Sequence, residues 1–270
     1  DTPFLADDDI LEVDQPGNFA FHADEYFLPN GDDPPQVASL RMVSVNLAHH
    51  VGHRNARGQA AIAIDFDDGK ANALSHDAVD GLREALAAAA NGSATAIALI
   101  GREGRFSAGF DLNVMRTDGA LDLMDKGANL ALELLMCPKP LVFGVTGHAL
   151  AMGAVLLCTP DYRVGAAGDF KLGLNEVRIS MPVPPFATEL ARDRLSPIAF
   201  TRAVNLAHIF APDEAAAAGW LDEVVSLDQV RDRAIQVATE LGHDLDARAF
   251  ATTRTIARGA LAETLAASLR

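Results

Sequence analysis

The chain has 270 residues, of which 49% are hydrophobic and 22% are charged, and its formal net charge is −15 at pH 7. This length fits one large α/β domain or two small ones. The acidic balance excludes a nucleic-acid-binding protein, because binding to phosphates requires clustered lysine and arginine. The longest apolar runs, of about ten residues, are too short for a membrane span of roughly 20 residues, so we expect no membrane association.

The cysteine content indicates a reducing compartment. Cys137 and Cys158 are the two cysteines of the chain, and they have neither the spacing of a metal site nor the number needed for a disulfide framework. The first residues lack the basic, apolar and small-residue pattern of a signal peptide. We therefore expect a cytoplasmic protein.

The amino-terminal part differs from the rest of the chain. Residues 1–42 are acidic and contain several prolines and glycines, without sustained hydrophobic periodicity. We interpret them as a peripheral extension that carries no chemistry. The pattern sharpens from Val43, which predicts a folded core over 43–245 and a helical region over 246–270.

Strands and helices alternate along this core. The apolar runs predict strands over 60–66, 95–101 and 141–147, helices over 74–90 and 121–136 and a short helix over 149–158, two strands around a turn within 162–174, and helices over 212–218, 227–242 and most of 246–269. Ser75 is the expected N-cap of the first helix. Such alternation predicts an α/β fold with parallel strand pairing.

Two glycine-containing loops follow predicted strands, "RFSAGFD" at 105–111 and "GHALAMG" at 147–153. The amino terminus of a helix presents unpaired N–H groups and a partial positive charge. One N–H group from each loop could therefore bind the same oxygen, which would form an oxyanion hole. Each loop alone could equally be a simple turn, since glycine often serves only to turn the chain.

Taken together, the motifs resemble those of the crotonase superfamily, the enoyl-CoA hydratase/isomerase proteins. "FSAGFDL" is similar to the F-S-A-G-x-D-L loop of the family, and "GHALAMGAVLLCTPDYRV" to its G-x-A-x-G-G-G helix start followed by C-D-x-R-x-A. "FKLGLNEV" matches the F-x-x-P-E element, "AAAAGWLDEVV" matches A-x-x-x-G-L-V-x-x-V, and "GKANALS" fits the N-A-L segment. The resemblance covers roughly residues 57–245.

The resemblance implies a crotonase-like spiral of ββα units with a helical C-terminal region. It implies an acyl-CoA substrate, a homotrimer or a hexamer formed by two trimers, and no separate cofactor, because coenzyme A is part of the substrate. The N–H groups of Ala108 and Met152 would hold the thioester carbonyl. The substrate would also contact Lys70, Ala71, Ala73, Gly109, Phe110, Asp111 and Gly153. Asp111 is also suited to capping the helix that follows it.

The match fails at one catalytic position. Hydratases of the family use two glutamates, and Val155 stands where the first of them is expected, whereas Glu176 occupies the position of the second. The glycine-rich stretch found downstream in hydratases is replaced by "VPPFA" at 183–187. With one remaining carboxylate, the chain resembles the Δ3,Δ2-enoyl-CoA isomerases, in which a single glutamate moves the proton.

Three hypotheses follow from these residues. The first is an enzyme that isomerises or otherwise enolises an enoyl-CoA through Glu176, the second is a hydratase with a non-standard water site, and the third is a relative that binds acyl-CoA without turnover. An ion pair with Arg178 is the alternative interpretation of Glu176. Glu189 is a weaker candidate for a second carboxylate.

Other residues with reactive side chains have simpler interpretations. His148 is expected to be packed or bound to backbone, and His49–His50 to form a solvated pair. Trp220 is expected in the core. Ser107 has neither a base partner nor a G-x-S-x-G context, which argues against a serine hydrolase.

Overall fold

The computed structural model describes residues 60–269 and, before them, only the backbone of three short strands, β1 (Ala38–Ser39), β2 (His49–His50) and β3 (His53–Arg54). Apart from β1, the extension predicted over 1–42 lies outside the described residues. The prediction of a solvated His49–His50 pair also concerns side chains outside them. None of the described helices is long and apolar enough to cross a bilayer.

The remaining elements follow one another without a long irregular segment. The strands are β4 (Ala60–Phe66), β5 (Ala73–Leu74), β6 (Ala96–Gly101), β7 (Gly104–Ser107), β8 (Gly109–Phe110), β9 (Leu141–Val145), β10 (Gly147–Leu150), β11 (Tyr162–Ala166), β12 (Leu172–Gly173) and β13 (Glu223–Val225). The α-helices are α1 (His76–Asn91), α2 (Leu112–Met115), α3 (Ala120–Leu135), α4 (Met152–Leu156), α5 (Pro185–Arg194), α6 (Pro197–Phe200), α7 (Pro212–Ala218), α8 (Val230–Asp244) and α9 (Ala247–Ala267). Short 3₁₀-helices cover Glu176–Ile179 and Leu227–Gln229, and a π-helical turn covers Thr201–Asn205.

The main sheet has six strands in the order β13-β11-β9-β6-β4-β3, all of them parallel to their neighbours except β3, which runs antiparallel to β4. Two smaller sheets, β12-β10-β7 and β5-β8, are also parallel. The predicted α/β fold with parallel pairing is therefore confirmed.

Successive units repeat one plan. In each unit a strand of the main sheet (β4, β6, β9 or β11) is followed by a shorter strand in a small sheet (β5, β7, β10 or β12) and then by helical structure. This arrangement is the predicted spiral of ββα units. It places the ends of the short strands, and the loops that follow them, close together on one side of the main sheet.

Both faces of the main sheet are buried, which explains the nearly continuous apolar runs of its strands. In β6, Ala96, Ala98 and Ile100 pack towards α8, whereas Ile97 and Leu99 belong to the larger apolar cluster that contains residues of α1 and α3. Ser75 caps α1 as predicted, because its side chain accepts the N–H of Ala78 at 3.2 Å.

The helix predicted over 149–158 is shorter than expected. Residues Gly147–Leu150 form strand β10, which lies between β7 and β12, and α4 begins only at Met152. The two strands predicted within 162–174 are present, but β11 belongs to the main sheet and β12 to a small sheet. These differences arise because strand partners distant in sequence override local helical spacing.

Helix α9 is docked on the core by two arginine side chains, one buried and one half-buried. Arg254 is 5% exposed, pairs with the Asp161 carboxylate and donates to the Leu135 carbonyl at 3.2 Å. Arg258 donates to the carbonyls of Leu135 (3.0 Å) and Thr159 (2.7 Å). The C-terminal helix is thereby attached to the end of α3 and to the segment that leads into β11.

We expect Arg254→Ala to lower the free energy of unfolding by about 2–3 kcal/mol, because it removes a buried guanidinium that pairs with the Asp161 carboxylate, and hydrogen bonds to charged groups contribute about 1.5–3 kcal/mol. Arg248→Ala changes an exposed arginine of the same helix, and we expect a loss within about 0.5 kcal/mol. Urea unfolding of the two variants measures the difference. Equal losses would contradict a docking role for Arg254.

Candidate functional site

The two glycine-containing loops are in direct contact. Gly109 has φ +92°, and a Cβ atom at this position would lie 3.0 Å from the Leu150 carbonyl oxygen and 3.2 Å from the Met152 nitrogen. A Cβ atom on Gly153 would lie 2.5 Å from the Ser107 carbonyl oxygen. Only glycine allows both approaches, so these residues bring the Met152 amide next to strand β8.

The Ala108 amide is already used within the protein. Its N–H donates to the Ala71 carbonyl at 3.2 Å, and the N–H of Asp111 donates to Leu74 at 3.1 Å. Both bonds are directed towards the β5 side of β8. Ala108 precedes β8, whereas the Asp111 bond continues the parallel pairing of β8 with β5. Because successive amides along a strand point to opposite sides, the N–H of Phe110, the residue just before Asp111, points away from β5. The geometry thus argues against the predicted donor role of Ala108 and favours the Phe110 amide.

The Met152 amide lies at the first position of α4. Both Ala154 and Val155 donate their N–H groups to the Ala151 carbonyl, at 2.9 and 3.0 Å, whereas the first amides of a helix have no acceptor within the helix. Ala151 adopts φ 49° and ψ −125°, a conformation that disfavours a residue with a Cβ atom. This strained residue turns the chain from β10 into α4, whose first amide, that of Met152, lies next to β8.

Asn72 is a positioning residue that the sequence analysis did not identify. It is fully buried, with φ 50°, and its side-chain amide donates to the carbonyls of Phe66 (2.6 Å) and Phe106 (3.2 Å). The Ser107 hydroxyl donates to the Asn72 carbonyl at 2.7 Å. Asn72 therefore joins the 69–75 segment to the strands that carry the first loop. An asparagine between Gly69 and Leu74 was the available signal, since asparagine tolerates positive φ.

The residues expected on the coenzyme A side lie around Asn72. Lys70 is exposed, and Ala71 and Ala73 are half-buried. A small pocket is lined by Ala71, Arg105, Ala108, His148 and Leu150. The segment and the first loop thus share one accessible surface.

Glu176 is a buried carboxylate close to the second loop. The Ala151 N–H donates to the Gly173 carbonyl at 3.0 Å, and Glu176 follows at the start of the Glu176–Ile179 turn. Glu176 is 7% exposed, and its Oε2 atom has no hydrogen-bond partner among the described residues. Burial raises the pKa of this carboxyl, with partial opposition from its own backbone amide. The Arg178 guanidinium donates to the Ala207 carbonyl at 2.7 Å.

The second loop and the residues on either side of Glu176 in the chain contribute apolar side chains to the core. Val155 is 3% exposed and belongs to the same buried cluster as Met152, Leu174 and Phe186. Phe186 comes from the 183–187 stretch that begins α5. A hydrophobic residue therefore fills the position where a second glutamate would be expected.

The other candidate residues have structural roles. Asp111 caps α2 by accepting the Asn113 N–H at 2.8 Å, and Nδ1 of His148 accepts the Lys171 N–H at 3.0 Å. Burial and nearby cations lower the pKa of His148, so its imidazole is kept neutral. Glu189 lies 3.5 Å from Arg192, and Trp220 is fully buried, as predicted. In the described part of the chain, no group of three or more potential metal ligands is found.

Comparison with known proteins finds similar sequences over most of the chain. A sequence profile described as "Enoyl-CoA hydratase/isomerase" matches residues 56–269. Mouse (Mus musculus) mitochondrial enoyl-CoA delta isomerase 1 is 33% identical over 141 residues, which cover 51% of this chain and 49% of the mouse protein. The chain spans about half the length of the mammalian isomerases that it matches.

Solved structures extend the similarity over most of the chain. An enoyl-CoA hydratase, ECHA3, from Mycobacterium marinum is 36% identical with a TM-score of 0.76, covering 84% of this chain and 96% of that one. Human mitochondrial delta3-delta2-enoyl-CoA isomerase is 26% identical with a TM-score of 0.75, covering 84% and 89%. Similar proteins therefore include some named as hydratases and others named as isomerases.

The contact between the loops predicts that substitution by alanine destabilises the protein to different extents at two glycines of similar backbone conformation. Gly104 (φ +79°) has open space at the Cβ position, whereas Cβ at Gly109 (φ +92°) would lie 2.9 Å from the Ala151 Cβ. Gly104→Ala should cost about 1–2 kcal/mol of unfolding free energy from backbone strain alone. Gly109→Ala should cost about 1–3 kcal/mol more, because it also pushes the loops apart. Chemical denaturation measures both, and equal costs would argue against close contact.

The raised pKa of Glu176 predicts a pH-dependent effect on stability. Since the folded state binds the proton more tightly, this carboxyl destabilises the protein progressively as pH rises above the ordinary value of 4.5 towards the raised pKa. Glu176→Gln removes the titration, so its melting temperature should exceed that of the unmodified protein at pH 7. The difference should narrow as pH falls towards 4.5.

Thermal unfolding between pH 4.5 and 7 tests this expectation, with Glu263→Gln, an exposed glutamate of α9, as the matched control. The control should show no such trend. A difference for Glu176→Gln that stays constant, or that widens at low pH, would contradict a raised pKa in the folded state.

Proposed function

Because the chain belongs to the enoyl-CoA hydratase/isomerase family, we propose that it isomerises an enoyl-CoA thioester by moving one proton with Glu176. The observation that carries this proposal is a buried carboxylate with an unpartnered Oε2 atom, accompanied by a buried valine at the second catalytic position. The reaction needs no separate cofactor, since coenzyme A arrives as part of the substrate.

The backbone amides of Phe110 and Met152 bind the thioester carbonyl in this proposal. Abstraction of a proton next to a thioester requires that the enolate oxygen be stabilised, and the loss of one well-placed donor costs about 3–4 kcal/mol of the barrier. The contact between Gly109 and the Met152 nitrogen supports this pairing of amides. Backbone donors do not depend on the side chain, so methionine in place of the family's glycine retains the donor.

The proton is carried between two carbons of the substrate. The Glu176 carboxylate removes a proton from C2 of a 3-enoyl-CoA, and the C–H electron pair forms a C1=C2 bond as the carbonyl electrons move to the oxygen, which gives a dienolate that retains the C3=C4 bond. The carboxylic acid then returns the proton to C4, which restores the carbonyl and leaves a 2-enoyl-CoA. When C4 is protonated, the C3=C4 electrons bind the proton, the C1=C2 electrons form the C2=C3 bond and the oxygen electrons restore the carbonyl. A carboxyl whose pKa is raised towards neutrality suits both steps, because it must act as base and then as acid.

Hydration requires a second polar group to hold the nucleophilic water. Val155, which is 3% exposed, cannot supply it, and the 183–187 stretch contributes a buried Phe186 on the adjacent helix α5. These apolar residues support isomerisation over hydration. The similarity to proteins of both names makes a direct comparison of the two substrates the decisive assay.

We expect Glu176→Gln to lower turnover of a 3-enoyl-CoA by about 10²–10⁴-fold, the usual cost of a lost general base, with substrate binding little changed. Glu189→Gln is the matched control, because it changes the other carboxylate that was considered and should leave turnover within about twofold. Steady-state kinetics of the three proteins measure the effect.

Offering both substrates to the unmodified protein separates the hypotheses. Fast hydration of crotonyl-CoA without isomerisation of a 3-enoyl-CoA would overturn the isomerase proposal and favour a non-standard water site. Binding without turnover of either substrate would favour a non-catalytic protein. Val155→Glu restores the family's second carboxylate, and any gain in crotonyl-CoA hydration should appear only in this variant.

A further inference from the structure

The side chains of the two proposed donor residues pack together against α3. A Cβ atom added to Gly127, in the middle of α3, would lie 2.5 Å from Cε1 of Phe110 and 3.5 Å from Cε of Met152. The Phe110 ring therefore rests on the helix backbone, where only glycine leaves sufficient space. We define Phe110, Met152 and Gly127 as the acyl wall.

The acyl wall lies beside the reacting carbons. A carbonyl oxygen bound by both amides lies about 3 Å from each nitrogen. The Phe110 and Met152 side chains are attached to the Cα atoms next to these nitrogens, so they lie close to the bound carbonyl. The carbon next to the carbonyl must reach Glu176, which is 7% exposed, so the acyl group must point inward. The bulky coenzyme A portion therefore extends towards solvent, and the acyl chain towards the acyl wall.

The space beyond the two amides is filled by protein side chains. Met152 is 2% exposed, Val155 lies one helical turn further along α4 at 3% exposed, and Phe186 is 6% exposed. Protein interiors are close-packed, so a long acyl chain could enter only by displacing Phe110 or Met152. A short chain requires no such displacement.

We propose that the acyl wall determines chain-length specificity and restricts the site to short acyl groups such as butanoyl. This inference rests on the proposed function, because it assumes a thioester carbonyl held by the Phe110 and Met152 amides. It concerns the side chains rather than the amides, so it applies to either reaction type.

Binding of saturated thioesters tests the inference independently of turnover. Calorimetry with butanoyl-CoA and decanoyl-CoA should show that the unmodified protein binds decanoyl-CoA no more tightly than butanoyl-CoA. Each additional buried methylene contributes about a fourfold gain in affinity, so a site that admits the longer chain would prefer it strongly. In the double variant Phe110→Ala/Met152→Ala, the affinity ratio of decanoyl-CoA to butanoyl-CoA should rise at least tenfold.

Two further variants keep the test informative if the double variant does not fold. Met152→Ala alone removes a flexible side chain and should raise the ratio at least threefold. Gly127→Ala forces the Phe110 ring into the site and should weaken binding of both thioesters. Its matched control is Gly259→Ala, a helical glycine of α9 with open space around the Cβ position, which should change neither affinity.

The outcomes distinguish this inference from the proposed function. If butanoyl-CoA binds but the ratio is the same in all variants, the acyl wall does not set chain length and the proposed function stands. A clear preference of the unmodified protein for decanoyl-CoA would also overturn the inference. If neither thioester binds the unmodified protein, both proposals fail.

Discussion

The close backbone contact between the two strand-exit loops is the constraint on which the rest of the site depends. Gly109 and Gly153 each leave space where a side chain would meet the opposite loop, and Ala151 adopts a strained conformation between them. Asn72 and Ser107 hold the first loop through buried hydrogen bonds. The strained backbone at Ala151, the two glycines and these hydrogen bonds together hold the Phe110 and Met152 amides in position before any ligand binds.

Close to this contact, the Glu176 carboxylate is buried, and burial disfavours its charged form. Glu176 is 7% exposed, and no described residue pairs with its Oε2 atom. Such an arrangement costs stability at neutral pH, because an unpaired buried carboxylate loses its hydration. The same loss of hydration raises the pKa of the Glu176 carboxyl, and a raised pKa is what the proposed proton transfer requires of this group.

Stability is supplied elsewhere in the fold. The pair of Arg163 with Asp222 joins β11 to the residue before β13, and the pair of Arg254 with Asp161 joins α9 to the residue before β11. Helix α8 covers one face of the main sheet with apolar residues. These interactions lie apart from the glycine loops. The separation allows strained and desolvated groups to persist at the site, because the surrounding structure determines their conformation.

The sequence by itself determined the strands and helices whose signals are local, such as the strand over 60–66 and the helix capped by Ser75. It also indicated Glu176 and Val155 as the residues on which the proposed reaction depends. Only the tertiary structure distinguished the Phe110 amide from the Ala108 amide, because the direction of an N–H group depends on which strand lies beside it. The same holds for Gly147–Leu150, which is a strand because β7 and β12 flank it. The contact of Phe110 with Gly127 could likewise not be predicted from the sequence, since it depends on how α3 packs against the first loop. Periodicity and capping are properties of neighbours in the chain, whereas donor direction and close approach are set by residues that meet only after folding.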